Sequence, residues 1–454
     1  MIKKHNTRTT LLFLFLLISL VHCGSGIEVA PGNSLPNTPP PNGTPSVNPS
    51  TPQAPKFTQT TTGAFNIGSS FPADIDIVDQ PGIQNIAFIT TTSTPAVEAV
   101  DLNTNPLSLS ATVKGLSSLP TVTQGAGIPN NLFVVDATHA FLLTSTSVFY
   151  FNPMTEAIYQ SVDLTQAITL TAPLKQADAN GNALTDVPAG PFSPSFPASM
   201  VFAGNKLAVS FSNVFFVGFS LDHAVQGVVR WFNINSSFPY LTPSNPTYVA
   251  TSGFNLTGLT LLPNGNVLAT NTGLTQFTPD FSNQLPVTPG SVDLMNFSTV
   301  QKIGSLDLGM TSPAFRPWAV TPDGSEAFIG SASGGYVLQI GLDPFTVIRG
   351  EGNPIVITNA ANGTDFIDDV VMYRLGGGIF PMSFNNSKVF GVDLTVAPPL
   401  LLADSVDLDD ASTPGASGAG PGALRPGIPG VDFTGPDLFV LISNPGAMAA
   451  IKTY

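Results

Sequence analysis

Side chains that carry oxygen atoms recur at one position of a short apolar segment that appears repeatedly along the chain. Carboxylate, amide and hydroxyl oxygens are the ligands that Ca²⁺ prefers in proteins, so a ring of them would suit a hard cation. The segments are FPADIDIV at residue 71, IPNNLFVV at 128, FPASMVFA at 196, FNLTGLTL at 254, RPWAVTPD at 316, FIDDVVMY at 366 and IPGVDFTG at 428. The candidate ligands are Asp74, Asp76, Asn131, Ser199, Thr257, Asp368, Asp369 and Asp432.

A second candidate cation site is the stretch DANGNALTD, which begins at residue 178. Its oxygen-bearing side chains alternate around a glycine that permits a sharp bend, as in a calcium-binding loop. The sixth-position Gly and the twelfth-position Glu of an EF-hand are both missing, and an Asx-rich surface turn is the alternative interpretation. The candidate calcium ligands are Asp178, Asn180, Asn182 and Asp186.

The sequence offers few parts for nucleophilic catalysis. Beyond the first 22 residues the only histidines are His139 and His223, and the one cysteine is Cys23. The histidines and the cysteine are too few to complete a Ser-His-Asp or Cys-His arrangement. No P-loop, dinucleotide-binding or haem-attachment motif occurs in the sequence. We predict no catalytic residue, and the sequence favours a role other than an enzyme.

The N-terminus predicts export from the cell. Lys3, Lys4 and Arg8 precede an apolar run over residues 11–21 that is interrupted only by Ser19. A basic stretch followed by a short apolar one is typical of a secretory signal peptide, and eleven residues are too few to span a bilayer.

The position of the single cysteine adds a second expectation. The stretch LVHCGSG resembles a bacterial lipobox, in which Leu20 would be the −3 residue and Cys23 the lipidated N-terminus of the mature chain. His22 departs from the small residue that the lipobox family prefers. The alternative is ordinary cleavage after Gly24 or Gly26, which releases a soluble protein. The resemblance implies a signal peptide over residues 1–22 and a membrane-anchored lipoprotein of the bacterial cell envelope, at the outer membrane or the cell surface.

Residues 23–55 are predicted to be a tether. From residue 31 they read PGNSLPNTPPPNGTPSVNPSTPQAP, a mixture of Pro, Asn, Ser and Thr that favours an extended, semi-rigid chain. Loss of the signal peptide removes three basic residues and changes the formal net charge from −14 to −17. An acidic chain with few basic residues is not expected to bind nucleic acid, or to dock on anionic lipid by charge.

The remainder, residues 56–454, is built from repeats of about 60 residues, the size of a four-stranded unit with loops. After each first-strand segment comes a second apolar run, such as AFITT at residue 87 or FLLTS at 141, and then a third, such as SVFYFNPMT at 147. A fourth-strand motif, SVDL, begins at residues 161, 291 and 405. Seven antiparallel units of four strands predict an all-β, seven-bladed β-propeller, with six or eight blades as the alternatives.

The end of the chain predicts how the ring closes. The last unit stops after its third strand, at AMAAIKTY, so no residues remain for a fourth. The stretch KFTQTTTGAFNI, residues 56–67, has the residues of a strand and precedes the first unit. We expect this N-terminal segment to supply the missing outer strand and to leave no open sheet edge.

One unit, TPDGSEAFIGSASGGYVLQIGLDP from residue 321, also resembles the YVTN-type propeller repeat, which implies the fold but no particular function. The positions that fit the YVTN pattern are Pro322, Asp323, Gly324, Phe328, Gly334, Val337, Ile340 and Asp343.

The ring of oxygen ligands is similar in layout to that of metal-dependent propeller lactonases, although the Glu and His ligands of those enzymes are missing. The alternative is that these polar side chains face channel water.

Two functions follow from these patterns. The first is a lipid-anchored binding scaffold whose ligand is a protein or a glycan. The alternative is a metal-dependent hydrolase that uses an acidic channel mouth and Ca²⁺ or a similar ion.

Overall fold

The structure, a computed structural model, consists of β-strands joined by turns, and its described part contains no helix. Accordingly, no helix that could cross a membrane occurs among the described residues. Cys23, Asp432 and most of the predicted tether lie outside the described part of the chain. The residues described are 54–55, 62–66, 72–78, 80–92, 95–104, 107–117, 127–217, 220–277, 284–358, 366–373, 376–384, 387–408, 421–426, 438–442 and 447–451.

The strand β1 (Thr62–Asn66) precedes six antiparallel blades, each built from one continuous segment of chain. Blade 1 contains β2 (Pro72–Val78), β3 (Ile86–Thr91), β4 (Ala96–Asp101) and β5 (Ser108–Leu109). Blade 2 contains β6 (Pro129–Asp136), β7 (His139–Thr144), β8 (Ser147–Phe151) and β9 (Ile158–Asp163). Three short strands follow it, namely β10 (Ile168–Leu170), β11 (Gln176–Asp178) and β12 (Gly190–Phe192).

Blades 3 and 4 carry insertions. Blade 3 contains β13 (Pro197–Ala203), β14 (Lys206–Phe211), the added β15 (Val214–Val217), the long β16 (Ser220–Ile234) and β17 (Leu241–Phe254). Blade 4 contains β18 (Leu256–Leu261), β19 (Asn266–Asn271), an inserted hairpin of β20 (Thr275–Phe277) and β21 (Gln284–Pro286), then β22 (Ser291–Asn296) and β23 (Gln301–Asp307).

Blades 5 and 6 return to the plain pattern. Blade 5 contains β24 (Ala319–Val320), β25 (Glu326–Gly330), β26 (Tyr336–Leu342) and β27 (Phe345–Arg349), with β28 (Ile355–Val356) paired to the other end of β26. Blade 6 contains β29 (Ile367–Met372), β30 (Gly378–Ser383), β31 (Lys388–Asp393) and β32 (Leu400–Asp407).

A further four-stranded sheet joins the two ends of the chain. It contains β33 (Pro421–Pro426), β34 (Leu438–Ile442), β35 (Ala447–Ile451) and, beside β35, the N-terminal β1. Strand β1 runs antiparallel to β35, with Thr62 opposite Ala450 and Phe65 opposite Met448. The segment 56–67 therefore contributes the outer strand that the sequence predicts for it.

The predicted fold class is confirmed as an all-β propeller, but the number of blades is corrected. Six blades, rather than the predicted seven, are formed by continuous segments, and the last sheet is a composite of both chain ends. The seventh predicted first-strand segment, residues 428–435, lies outside the described residues, and the first strand of the composite sheet is the earlier β33. The pattern of apolar residues misplaced this strand because β33 (PGALRP) contains few of the residues that favour strands.

The core lies between neighbouring blades, where the apolar faces of successive sheets pack on each other. Between blades 2 and 3, for example, Phe133 and Phe141 pack against Met200 and Phe202. Many of the described phenylalanines are buried in such clusters. The phenylalanines that are less than 2% exposed include Phe88, Phe141, Phe149, Phe151, Phe211, Phe232, Phe328 and Phe380.

Because the strands of a blade alternate in direction, its turns fall on two opposite faces of the propeller. The turn face carries the links between first and second strands and between third and fourth strands, such as residues 137–138 and 235–240. The loop face carries the links between second and third strands and the connections between blades. Its insertions pack together, since Ala177, Val214, Ala224 and Leu274 form one buried cluster.

Candidate functional site

The side chains predicted to form a ring of cation ligands are buried rather than exposed at a channel mouth. Asp74, Asn131, Ser199, Thr257 and Asp369 are each at most 1% exposed. The adjacent Asp76 and Asp368 are 6% and 8% exposed. These side chains therefore belong to the interior of the propeller, and a cation site formed by them stays a prediction.

Their oxygen atoms join each blade to the next one. The Asp74 carboxylate of blade 1 accepts hydrogen bonds at Oδ2 from the Asn131 side-chain amide of blade 2 (2.8 Å) and from the backbone N–H of Leu132 (3.0 Å). The Oδ1 atom of Asn131 in turn accepts from the backbone N–H of Met200 in blade 3, at 2.9 Å. Each side chain thus ties its own blade to the first strand of the following blade.

The same relation continues around the ring. Ser199 Oγ of blade 3 accepts from the backbone N–H of Leu259 in blade 4, at 3.1 Å. Thr260 Oγ1 of blade 4 accepts from the backbone N–H of Trp318, which leads into blade 5, at 2.8 Å. The first strand of a blade has no further strand on its inner side, so these N–H groups would otherwise be buried without a partner.

A buried arginine crosses the ring at the ends of the first strands on the loop face. Arg316, which leads into blade 5, is 6% exposed. Its Nη1 donates to the carbonyl oxygen of Ala73 in blade 1 at 3.5 Å, and its Nε lies 3.7 Å from Oδ2 of Asp368 in blade 6. The guanidinium therefore compensates one carboxylate of the predicted acidic set. Within the described residues, no group of three or more His, Cys, Asp or Glu side chains is arranged to hold a metal ion.

The predicted calcium loop is organised by its own aspartate. Asp178 Oδ1 accepts from the backbone N–H groups of Asn180 and Asn182, and Oδ2 accepts from the Asn182 amide, each at 2.9 Å. These hydrogen bonds, first the one from the Asn182 side chain, lower the pKa of Asp178. Asn180 Oδ1 accepts from Gln276 of the β20 strand at 2.8 Å, and Asp186 is exposed. The arrangement is an Asx turn that docks on the neighbouring insertion, and calcium binding here stays a prediction.

A surface that the sequence did not indicate lies on the turn face of blades 2 and 3. We call it the aromatic array; it consists of His139, Tyr150, Tyr159, Phe238 and Tyr240. The Tyr150 ring lies between the others, 5.8 Å from His139, 5.1 Å from Tyr159 and 5.4 Å from Tyr240 between centroids. Phe238 stands edge-on to Tyr240 at 6.2 Å and is 72% exposed.

Strand pairing and one amide position these rings. Tyr150 of β8 lies opposite Phe141 of β7, and His139 is two residues before Phe141, so the His139 and Tyr150 side chains project from the same face of blade 2. The Gln160 side chain of blade 2 both donates to the carbonyl oxygen of Leu241 and accepts from its N–H, at 3.0 and 2.9 Å. This pair of hydrogen bonds fixes the 235–240 turn of blade 3 against blade 2, and with it Phe238 and Tyr240.

The electrostatics of the array keep the Tyr150 phenol neutral. Burial, followed by the nearby Tyr159 and Asp136, raises the pKa of Tyr150 to about 12. His139 Nδ1 donates to Asp136 Oδ2 at 2.8 Å. Burial alone would raise the pKa of Asp136, but hydrogen bonds from His139 and Thr138 outweigh it and lower the pKa. The array therefore presents ring faces with one charged carboxylate at its margin.

The aromatic array escaped sequence reasoning because its members come from four separate strands or turns. The available signal was the tyrosine distribution: four of the seven tyrosines, Tyr150, Tyr159, Tyr240 and Tyr248, fall in units 2 and 3. Tyrosine at a surface that also buries part of its ring is common in binding sites, since the phenol retains a polar group.

Comparison with known proteins establishes the fold and no more. No family model matches the sequence, and no curated protein is similar to it in sequence. The structure is similar to the β-propeller domain of Myceliophteria thermophila Cps50 (Swd1), with a TM-score of 0.51 and 11% identity over 87% of this chain and 99% of that chain. It is also similar to the Dos1 propeller, with a TM-score of 0.50 and 9% identity over 86% and 94% of the two chains. The protein is therefore a β-propeller.

Proposed function

We propose that this β-propeller is an exported, lipid-anchored binding scaffold of a bacterial cell envelope, and that it binds its partner on the turn face. The observation that carries the binding role is the aromatic array. An exposed ring supported by stacked, half-buried rings is the arrangement found at the centres of binding surfaces, where aromatic residues are enriched.

The buried polar side chains that join each blade to the first strand of the next blade support the same proposal. Their carboxylate, amide and hydroxyl groups hydrogen-bond to the following blade, as Asp74 and Asn131 do. Arg316 also crosses between blades 5, 6 and 1. Ligand binding is therefore better placed on an outer face, where Phe238 is exposed, than inside the ring.

We also propose that the composite sheet closes the ring between blade 6 and blade 1. Its first strand, β33, lies against both β29 of blade 6 and β2 of blade 1. A sheet in that position separates the first and last continuous blades and covers the edges of both. The tether would then leave the propeller near Ala54 and Pro55, and Pro55 lies against Gly378 of blade 6.

The anchor is tested by changing the cysteine alone. We expect Cys23→Ser to abolish incorporation of radiolabelled palmitate and to move the protein from the membrane fraction to the soluble fraction, because one thiol carries the whole attachment. The control is Ser25→Ala, which leaves the cysteine in place. A wild-type protein that takes up no label and fractionates as soluble would refute the lipid anchor.

The binding surface is tested with full-length Cys23→Ser protein and isolated bacterial envelopes. Phe238→Ala should weaken sedimentation with the envelopes at least tenfold, because it removes the most exposed ring of the array. Val217→Ala, which removes an apolar side chain that is 71% exposed on the loop face, is the matched control. Equal sedimentation of both variants and the parent would place the binding surface elsewhere.

The metal-dependent hydrolase remains the alternative prediction from the sequence. Elemental analysis of purified protein before and after Ca²⁺ loading distinguishes the two functions. A stoichiometric divalent ion would favour the hydrolase, and its absence after loading would dismiss it.

A further inference from the structure

A polar cavity lies in blade 1, next to the blade that carries most of the aromatic array. It has a volume of about 470 Å³, within the range of small-molecule sites. Polar groups dominate its lining, and the side chains that the inference uses are Gln84, Asn85, Asp101, Asn103 and Thr112.

The polar groups of this cavity are held in place by one another. Asn85 Nδ2 donates to Asn103 Oδ1 at 2.8 Å, and Asn103 Nδ2 donates to Asp101 Oδ1 at 2.9 Å. The backbone N–H of Asn103 also donates to Asp101 Oδ1 at 2.9 Å. A fixed row of amide and carboxylate groups can accept and donate at once, which is what neighbouring hydroxyl groups of a ligand require.

The charge of the cavity excludes several classes of ligand. Among the described residues that line it there is no Lys, Arg or His, and Asp101 supplies one carboxylate. Phosphorylated or carboxylated ligands would meet a negative charge there without a basic partner, at a cost in free energy. The remaining class with many hydroxyl groups and no charge is a neutral carbohydrate.

The cavity and the aromatic array meet along the border between blades 1 and 2. Gly82, which lines the cavity, has a φ of 90°, and a Cβ added to it would lie 3.3 Å from the Ala137 Cβ. Ala137 belongs to the turn that leads directly into His139 of the array. The amide-lined cavity of blade 1 therefore borders the array at His139 of blade 2, while Phe238 and Tyr240 lie one blade further, on blade 3; an extended ligand could contact both ends.

We propose that the cavity and the aromatic array form one extended site for a neutral oligosaccharide, with sugar hydroxyls on Gln84 and Asn103 and a sugar ring against Phe238 and Tyr240. Stacking suits this ligand because the C–H groups on one side of a sugar ring form an apolar patch that matches an aromatic face. The inference rests on the proposed function, since it names the partner of that binding surface.

Affinity gel electrophoresis of the Cys23→Ser protein tests the site with four neutral polysaccharides, namely dextran, mannan, xylan and laminarin. We expect at least one to retard the protein, and we expect Gln84→Ala and Phe238→Ala each to weaken that retardation at least tenfold. No described hydrogen bond involves the Gln84 side chain, so its removal is not expected to unfold blade 1. Asn264→Ala, an exposed amide on the turn face of blade 4, is the matched control.

Three outcomes would overturn the carbohydrate site. They are no retardation by any of the four, retardation that both variants retain, and equal retardation by the anionic polygalacturonate. A photo-crosslinking residue at position 238 distinguishes failure of the carbohydrate inference alone from failure of the proposed binding function. If it labels an envelope polypeptide while no polysaccharide binds, the binding scaffold stands and the carbohydrate inference fails. If it labels nothing and no polysaccharide binds, both fail.

Discussion

Asp74 shows how one side chain can suggest a ligand role from sequence and serve a different one in the fold. A carboxylate at a repeated position is what a cation site requires, and it is equally what a buried row of backbone N–H groups requires. The sequence predicts that the position is polar in most units. The sequence does not reveal which N–H group donates to the Asp74 carboxylate, because the donor, Leu132, lies in another blade, 58 positions away.

We expect Asp74→Ala to lower the free energy of unfolding by about 2 kcal/mol, because it leaves the buried N–H of Leu132 and the Asn131 amide without their acceptor. Urea denaturation followed by circular dichroism measures the change. Asp404→Ala, at an exposed position of β32, should change stability by less than about 0.5 kcal/mol. Equal effects of the two substitutions would show that the inter-blade hydrogen bonds add nothing.

The raised pKa of the Glu98 carboxyl predicts that the stability of the protein depends on pH. Burial raises the pKa of this β4 side chain above 4.5, and its Oε2 atom is buried with no hydrogen-bond partner among the described residues. A raised folded-state pKa contributes stability in full below the unfolded-state pKa, and that contribution is lost as pH rises through the folded-state pKa.

Glu98→Gln should therefore raise the melting temperature more at pH 7 than at pH 3.5, because the substitution removes the buried charge whose cost appears as pH rises through the folded-state pKa. The gain should be less than about 1 kcal/mol, because water screens a half-exposed group. Thermal melts of both proteins across this pH range measure it. A gain of the same size at both pH values would assign the effect to packing instead of charge.

At the scale of elements, the period of the apolar residues predicted most strands and failed where insertions interrupt it. The third-strand segment at residue 147 became β8, and SVDL at residues 161 and 405 falls in the outer strands β9 and β32. The copy at residue 291 is instead in the third strand, β22. The β20–β21 hairpin is inserted between the second and third strands of blade 4, so the third strand falls where the repeat predicts the fourth. The local sequence does not show how strands are ordered across such an insertion.

The two proposed binding surfaces differ in how much of each could be predicted from the sequence. Cavity residues 82–86 and 101–103 belong to two turns of a single blade, so a local pattern of Asn, Asp and Gly marks them as turns. The aromatic array combines blades 2 and 3 through contacts such as Tyr150 with Tyr240. Packing between blades brings those rings together, so the periodicity of apolar residues within one unit cannot predict their contact.

At the scale of the whole molecule, the pairing of β1 with β35 predicts that the N-terminal strand stabilises the entire propeller. Deletion of residues 56–67 should lower the melting temperature by 10 °C or more, on the order expected when an unpaired sheet edge is exposed and cooperativity is lost. Differential scanning calorimetry measures this effect. Deletion of residues 31–53, in the predicted tether, is the control and should leave the transition unchanged; an unchanged transition for both deletions would refute the stabilising role of β1.

The same pairing sets the order in which the strands can pair during synthesis. Phe65 is among the first described residues, yet its partner Met448 is among the last, so β1 has no strand to pair with until nearly the whole chain has been made. Contacts between such distant residues form slowly because the intervening chain must first be ordered. Under the export proposed above, a chain that passes through a secretion channel N-terminus first would keep β1 unpaired until its final strand reaches the far side.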